Sequence, residues 1–345
     1  MSGETNRRKM EHIDILLRDG ETDRQKNWFD RIHLQHRALP ELDLEEVDPS
    51  VTFLGKKLSC PLLISSMTGG DDALIRKVNR NLAEAAERCG VAMGVGSQRV
   101  MFTHPQARES FALREVAPTA LLLANLGAVQ LNKGFGLWEC ETAVSVLGAD
   151  GLYLHLNPLQ EAVQPEGDRC FRGLAAKIGE IAAGLSVPVL AKEIGSGLSL
   201  KDGMLLSGKG VRILDVAGAG GTSWSRIEHH RSSEMSLGML FQDWGIPTPL
   251  CLQQLAPLRR QGVTLIASGG IRKPLDGVKA MVLGASLVGM AKPFLAPAME
   301  SVDAVVAVIE AYRKALVTAM FLLGVRTLAE LRGNESLLLD TESPR

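Results

Sequence analysis

The sequence predicts a closed (β/α)8 barrel, an α/β fold, preceded by an N-terminal extension. Three observations predict it. Eight short apolar runs recur from Pro61 onward. Helical patterns alternate with them, which is the signature of a parallel sheet. Nearly every run ends in polar or glycine-rich residues, and a closed barrel explains this by gathering all the strand ends on one rim. An open doubly wound sheet is the alternative, but it calls for one fingerprint after the first strand rather than functional residues after many.

In chain order, residues 1–50 are charge-dense and lack a sustained period, so they read as an arm or loosely packed extension that covers the site. The barrel takes residues 51–335, and residues 336–345 read as a flexible tail. The runs are Leu62–Ser65, Val91–Val95, Ala120–Ala124, Gly151–Leu156, Val187–Ala191, Val211–Val216, Thr264–Ala267 and Ser286–Met290. Asp72 is placed to cap the first helix, with Leu74, Ile75, Val78, Leu82, Ala85 and Ala86 on one face and Gly90 beyond its end. Cys170–Gly184 and Pro274–Leu283 read as further helices, and one long helix is expected over Ala298–Leu323. The connection between the sixth and seventh runs is longer than the others, so it is either a lid or a passive surface excursion.

Composition excludes several classes of function. The 345 residues carry 38 Lys plus Arg against 39 Asp plus Glu, a formal charge of −1, so there is no basic footprint for nucleic acid. Hydrophobic residues make up 46% and aromatics 4%, so the core is aliphatic, as buried parallel strands require. The five cysteines form no CxxC pair, which argues against a zinc ribbon or a disulfide framework and fits a cytoplasmic protein. The longest uncharged stretch, Val116–Asn132, is too short and too polar to span a bilayer.

The strand ends carry the chemistry. Gly269-Gly270 and Arg272 follow the seventh run and Ala291 the eighth, where many barrels bind phosphate through backbone N–H groups and a helix N-terminus. Lys192 ends the fifth run, and a cation there needs either an anionic ligand or a carboxylate partner. His155, Asn157, Gln160 and Glu161 cluster after the fourth, and Pro158 stops the strand beneath Gln160 and Glu161. A lone carboxylate suits Mg²⁺, which keeps waters and takes further ligands from substrate phosphates. Arg7-Arg8-Lys9-Met10-Glu11-His12 reads as a solvated charge run or as an arm folding over the mouth to neutralise an anionic substrate. Gly94-Val95-Gly96-Ser97 lacks a third glycine and follows the second run, so it is no dinucleotide fingerprint.

Taken jointly these motifs resemble one family. Arg8-Lys9-x-x-His12, Ser66-Met67-Thr68-Gly69-Gly70, Gly96-Ser97-Gln98-Arg99, Ala124-Asn125-Leu126-Gly127, His155 through Glu161, Lys192-Glu193, Gly220–Trp224 and Ser268–Arg272 match the type 2, FMN-dependent isopentenyl-diphosphate isomerases over about residues 7 to 333. The resemblance implies an FMN-dependent oxidoreductase-like barrel that interconverts isopentenyl and dimethylallyl diphosphate with reduced FMN, Mg²⁺ and NADPH as reductant, in a homotetramer or homo-octamer. It implies flavin contacts from Ser66, Met67, Thr68, Ser97, Asn125, Lys192 and Thr222, and phosphate contacts from Gly269, Gly270, Arg272 and Ala291. Arg8, Lys9, Ser97, Arg99, His155, Asn157 and Gln160 are implied to bind substrate, with Glu161 on the metal. Gln160, His155 and Asn157 are the candidate catalytic residues, and Trp224 is placed to flank a cationic centre. An FMN-dependent 2-hydroxy acid oxidase or dehydrogenase on the same barrel is the alternative activity.

Overall fold

The computed structural model describes residues 2–67, 69–231 and 237–339, with side chains from Met10 onward. Strands β1 (Val51–Phe53) and β2 (Lys56–Leu58) pair antiparallel as a hairpin. The eight that follow are β3 (Leu62–Ile64), β4 (Ala92–Gly94), β5 (Leu122–Gly127), β6 (Gly151–Leu156), β7 (Val189–Glu193), β8 (Ile213–Asp215), β9 (Thr264–Ser268) and β10 (Leu287–Met290). All eight are parallel, and β10 pairs with both β9 and β3, which closes the barrel. The ring closes in register, with Val288 opposite Leu62 on one side and Ala267 on the other.

Strand alternation divides the core in two. Leu63, Ala92, Leu121, Leu123, Tyr153, Leu190, Ile213, Ile266 and Leu287 point inward and fill the barrel. Their neighbours, such as Leu62, Ile64, Leu122, Leu152 and Leu154, point outward beneath the helices. The hairpin completes the inner layer. Leu54 and Gly55 both hold positive φ (46° and 76°), as a tight two-residue hairpin turn requires. Phe53 and Leu58 join the inner cluster. The Lys56 Nζ donates to the carbonyls of Thr119 and Ala120, each at 3.0 Å, just before β5 begins. The hairpin therefore stops the N-terminal end of the barrel.

The helices follow the sequence with two differences. Asp72 accepts from the Leu74 N–H at 2.8 Å, and Gly90 ends that helix, Ala73–Cys89, at φ 63°. Leu174–Gly184 and Pro274–Val282 form as expected, the first starting four residues later than the pattern suggests. The long helix expected over Ala298–Leu323 is broken. Ser301 is extended (φ −160°) and its hydroxyl caps the Ala304 N–H at 3.1 Å, so Lys292–Glu300 and Val302–Leu323 are separate.

The extension differs more. It opens with a helix, Ser2–Arg18, and then runs irregularly, yet it is packed rather than loose. Phe29 and Thr22 are wholly buried, and Arg24 and Ile13 are nearly so. Burying Phe29 alone contributes about 2 kcal/mol. Without a repeating period such anchors are invisible in the sequence.

Candidate active site

A cavity of about 210 Å³ opens at the C-terminal rim of the barrel. Every strand-end cluster described above reaches it from a different strand. Ser66, Met67, Ser97, Asn125, His155, Gln160, Lys192, Thr222, Gly269, Gly270, Arg272 and Ala291 all line it. Thr68 and the side chains of Arg8 and Lys9 lie outside the described residues. Trp224 lines the cavity, with His12, Ile13 and Leu16 of the arm above it. The helix Trp224–Arg231, from the long β8–β9 connection, packs on both the arm helix and the helix Pro158–Val163, so these three segments form a roof.

The floor carries one buried charge pair. Lys192 Nζ lies 3.1 Å from Asp215 Oδ2 and 3.0 Å from Ser268 Oγ. Asp215 also accepts from Tyr153 OH at 3.0 Å and from Ser268 Oγ at 2.5 Å. Asp215 is fully excluded from water, a placement that is tolerable because its lone pairs are filled. Burial, with the adjacent carboxylate, raises the Tyr153 phenol well above its ordinary range, so it stays a donor. The carboxylate partner expected for Lys192 is thus Asp215, and the lysine also lines the cavity.

On the wall, Asn125 fixes His155. Asn125 Nδ2 donates to the Val95 carbonyl at 3.0 Å, which leaves its Oδ1 for His155 Nδ1 at 2.7 Å. His155 Nδ1 is then the donor in that bond. A Cβ at Gly127 would come within 3.2 Å of His155 Nε2, so the glycine makes room for the ring.

A second network holds Gln160. Its Nε2 donates to Glu228 Oε1 at 2.8 Å, and its Oε1 accepts from Asn157 Nδ2 at 3.2 Å. Glu228 also meets His12 Nε2 at 3.1 Å and Arg231 Nη1 at 2.5 Å. Burial pushes the Glu228 carboxyl up. The hydrogen bond and charge of His12, joined by Gln160 and Arg231, outweigh that and hold it at about 2. His12 in turn stands edge-on to Trp224, ring centres 5.2 Å apart. Sequence reasoning gave Glu228 no role of its own, since it fell within the long connection read as a lid or a surface excursion; the helix buries it completely.

Three candidates do not line the cavity. Asn157 and Glu161 are buried beside the cavity without lining it, and Asn157 Nδ2 donates to Glu161 Oε1 at 2.7 Å. The Asp168 N–H donates to the other Glu161 oxygen at 2.6 Å. Arg99 pairs with the Asp168 carboxylate at 3.1 Å, as Lys133 does at 3.2 Å. Among the described residues no group of three or more His, Cys, Asp or Glu side chains is arranged to hold a metal.

Fold and site together define a flavin-binding barrel. The family model described as FMN-dependent dehydrogenase matches residues 2–104 and 168–338, and the chain belongs to that family. The backbone resembles the flavin-binding domain of baker's yeast flavocytochrome b2 (TM-score 0.66, 19% identity, covering 93% of this chain and 80% of that one). It likewise resembles a mutant mandelate oxidase (TM-score 0.62, 17% identity, 90% and 88%). At such identities these two show the fold alone. Nearer relatives divide the class. Isopentenyl-diphosphate delta-isomerase of Paracoccus zeaxanthinifaciens is 55% identical over 336 residues, covering 96% of each chain. That of Hydrogenovibrio crunogenus is 52% identical over 335 residues, covering 96% of this chain and 97% of the relative. That of Pyrococcus furiosus is 42% identical, covering 94% and 84%. Within the flavin barrels, the chain is a member of the isopentenyl-diphosphate delta-isomerases.

The residues present fit FMN. Ser66 Oγ is buried at the cavity with no hydrogen-bond partner, which a ligand would supply. Gly269 and Gly270 both hold positive φ (90° and 74°) beside Arg272, and Ala291 leads into the helix Lys292–Glu300. This is the strand-end arrangement that receives a phosphate.

Proposed function

We propose that this chain interconverts isopentenyl diphosphate and dimethylallyl diphosphate at the C-terminal rim, with reduced FMN, Mg²⁺ and NADPH as the reductant. The observation that carries the reading is the convergence of a phosphate-binding loop pair, Lys192 and the ordered His155–Gln160–Glu228 set on one roofed cavity. Reduced flavin, when bound, would supply an acid–base group at the rim cavity. Ser66, Met67, Thr68, Ser97, Asn125, Lys192 and Thr222 hold it, and Gly269, Gly270, Arg272 and Ala291 take its phosphate.

The chain's own residues do the rest. Moving an unactivated C=C bond needs proton transfers with water kept out. Trp224, Ile13 and Leu16 line the roof with apolar surface, and Trp224 offers a ring face to the electron-poor carbon. Gln160, fixed at both ends of its amide, orients or relays the moving proton. Arg8, Lys9, Ser97, Arg99 and His155 bind the diphosphate, and Asn157, off the cavity lining, holds Gln160 and Glu161 in place. Glu161 fits a hard cation: each carboxylate oxygen accepts one hydrogen bond, and further lone pairs stay open for Mg²⁺.

The test is anaerobic incubation of the photoreduced flavoprotein with isopentenyl diphosphate and Mg²⁺ in D2O, followed by NMR of the product. Dimethylallyl diphosphate carrying solvent deuterium, with no net flavin oxidation, is the expected result. Oxidation of lactate or glycolate without isomerisation would favour the hydroxy-acid alternative.

A further inference from the structure

The arm contributes an anion to the same place the phosphate is assigned. Asp23 lines the cavity, and its carboxylate contacts both cations of the phosphate loops. Arg272 grips it with a two-pronged fork, Nη2 to Oδ1 at 2.7 Å and Nε to Oδ2 at 3.0 Å. Lys292 Nζ, from the start of the helix after β10, is 3.4 Å from Oδ2. The remaining Arg272 contacts go to carbonyls: Nη1 to Gly270 at 3.3 Å, and Nη2 also to Gly220 at 2.7 Å and to Arg24. The two-pronged edge of the guanidinium, the one suited to an oxyanion, is thus filled by Asp23. Nearby Arg24 does not help, since it donates to the carbonyls of Gln242 and Gly195. Asp276 is already engaged by the backbone N–H groups of Arg272 and Lys273.

We propose that Asp23 is a built-in competitor for the FMN phosphate, so that cofactor loading exchanges one anion for another at Arg272 and Lys292. The inference rests on the reading that these loops take the phosphate. Charge counting supports it. A phosphate dianion with Asp23 sets three negative charges against two cations, whereas the phosphate alone balances them. The exchange leaves the arm in place, because its backbone is seated independently. The Ser223 N–H donates to the Thr22 carbonyl at 2.7 Å, and the Arg24 N–H donates to the Gly221 carbonyl at 3.1 Å. Only the carboxylate has to yield. FMN affinity in this chain is then set below what its basic residues offer, and an isosteric neutral side chain at this position restores it.

The experiment compares FMN with riboflavin, which lacks the phosphate. Full-length protein loaded with either flavin is diluted, and release is followed by flavin fluorescence to give both affinities. Asp23→Asn is expected to raise the FMN-over-riboflavin affinity ratio about tenfold by removing one close like charge. Asp23→Ser is expected to act in the same direction and guards against an effect peculiar to the amide. A ratio unchanged or lowered in both variants overturns the proposal, because it makes Asp23 a structural tie for the arm. Arg272→Gln in the same assay should lower the ratio. If it does not move, the phosphate binds elsewhere and the underlying reading fails, a result distinct from failure of the Asp23 variants.

Discussion

Lys192 and Asp215 form an ion pair at the cavity floor, 3.1 Å apart, with side chains 7% and 0% exposed. Asp215 answers to three donors, so it fixes where the lysine ammonium stands. Removing one partner strands a charge in a dry site. Asp215→Asn should therefore cost about 3–5 kcal/mol of stability. Adding Lys192→Met to it should cost less than the sum of the two single changes. Denaturant unfolding of the four proteins measures the coupling, and strict additivity would remove the pair from the account.

Glu228 gives a pH prediction. Its carboxyl lies at about 2 in the folded chain against an ordinary 4.5. Asp19, hydrogen-bonded by Arg226, is likewise lowered from 3.8 to about 2. A group depressed on folding stabilises the native state above its unfolded value, and that stability is lost as pH falls through the folded one. The chain should thus lose stability progressively from about pH 4.5 toward pH 2. Glu228→Gln should flatten that slope in denaturation midpoints taken across the range. The same variant should slow isomerisation by about 10²-fold while flavin remains bound, since it disturbs Gln160 and leaves the phosphate loops alone.

Glu161→Gln keeps the shape of the Asn157 contact and removes the charge. The Mg²⁺ concentration for half-maximal turnover should rise by about tenfold or more, with flavin absorbance unchanged. An unaltered Mg²⁺ response would release Glu161 from the metal role.

Phe53 tests the stopper under the barrel. It is buried in the inner layer, far from the rim. Phe53→Ala should cost about 3–5 kcal/mol by leaving a cavity. The flavin spectrum of the folded protein should not change, and a shifted spectrum would mean that the two ends of the barrel communicate.

The eight barrel strands were legible because strands buried on both faces read as unbroken apolar runs, and Asp72 and Gly90 marked one helix in full. The rim was legible because its residues follow those runs directly. What escaped depends on contacts distant in sequence. Phe29 and Thr22 are buried by packing without any period, and Glu228 sits in a run whose neighbours are charged and aromatic. The β1–β2 hairpin was missed because three-residue strands are too short to show alternation. Ser301 was passed over inside an apolar pattern, although a serine before Asp303 is an ordinary helix start. Asp23 drew no notice because nothing local links it to Arg272, 249 positions away.

The hairpin has a consequence for traffic. With one end of the ring stoppered, molecules come and go past the roof, and the first stretch of that roof is the chain's own beginning. A protease cutting between the helix Ser2–Arg18 and Phe29 would spare every barrel strand. Such a clipped protein should stay yellow, because every residue assigned to the flavin sits on the barrel, while turnover falls as water enters the unroofed cavity.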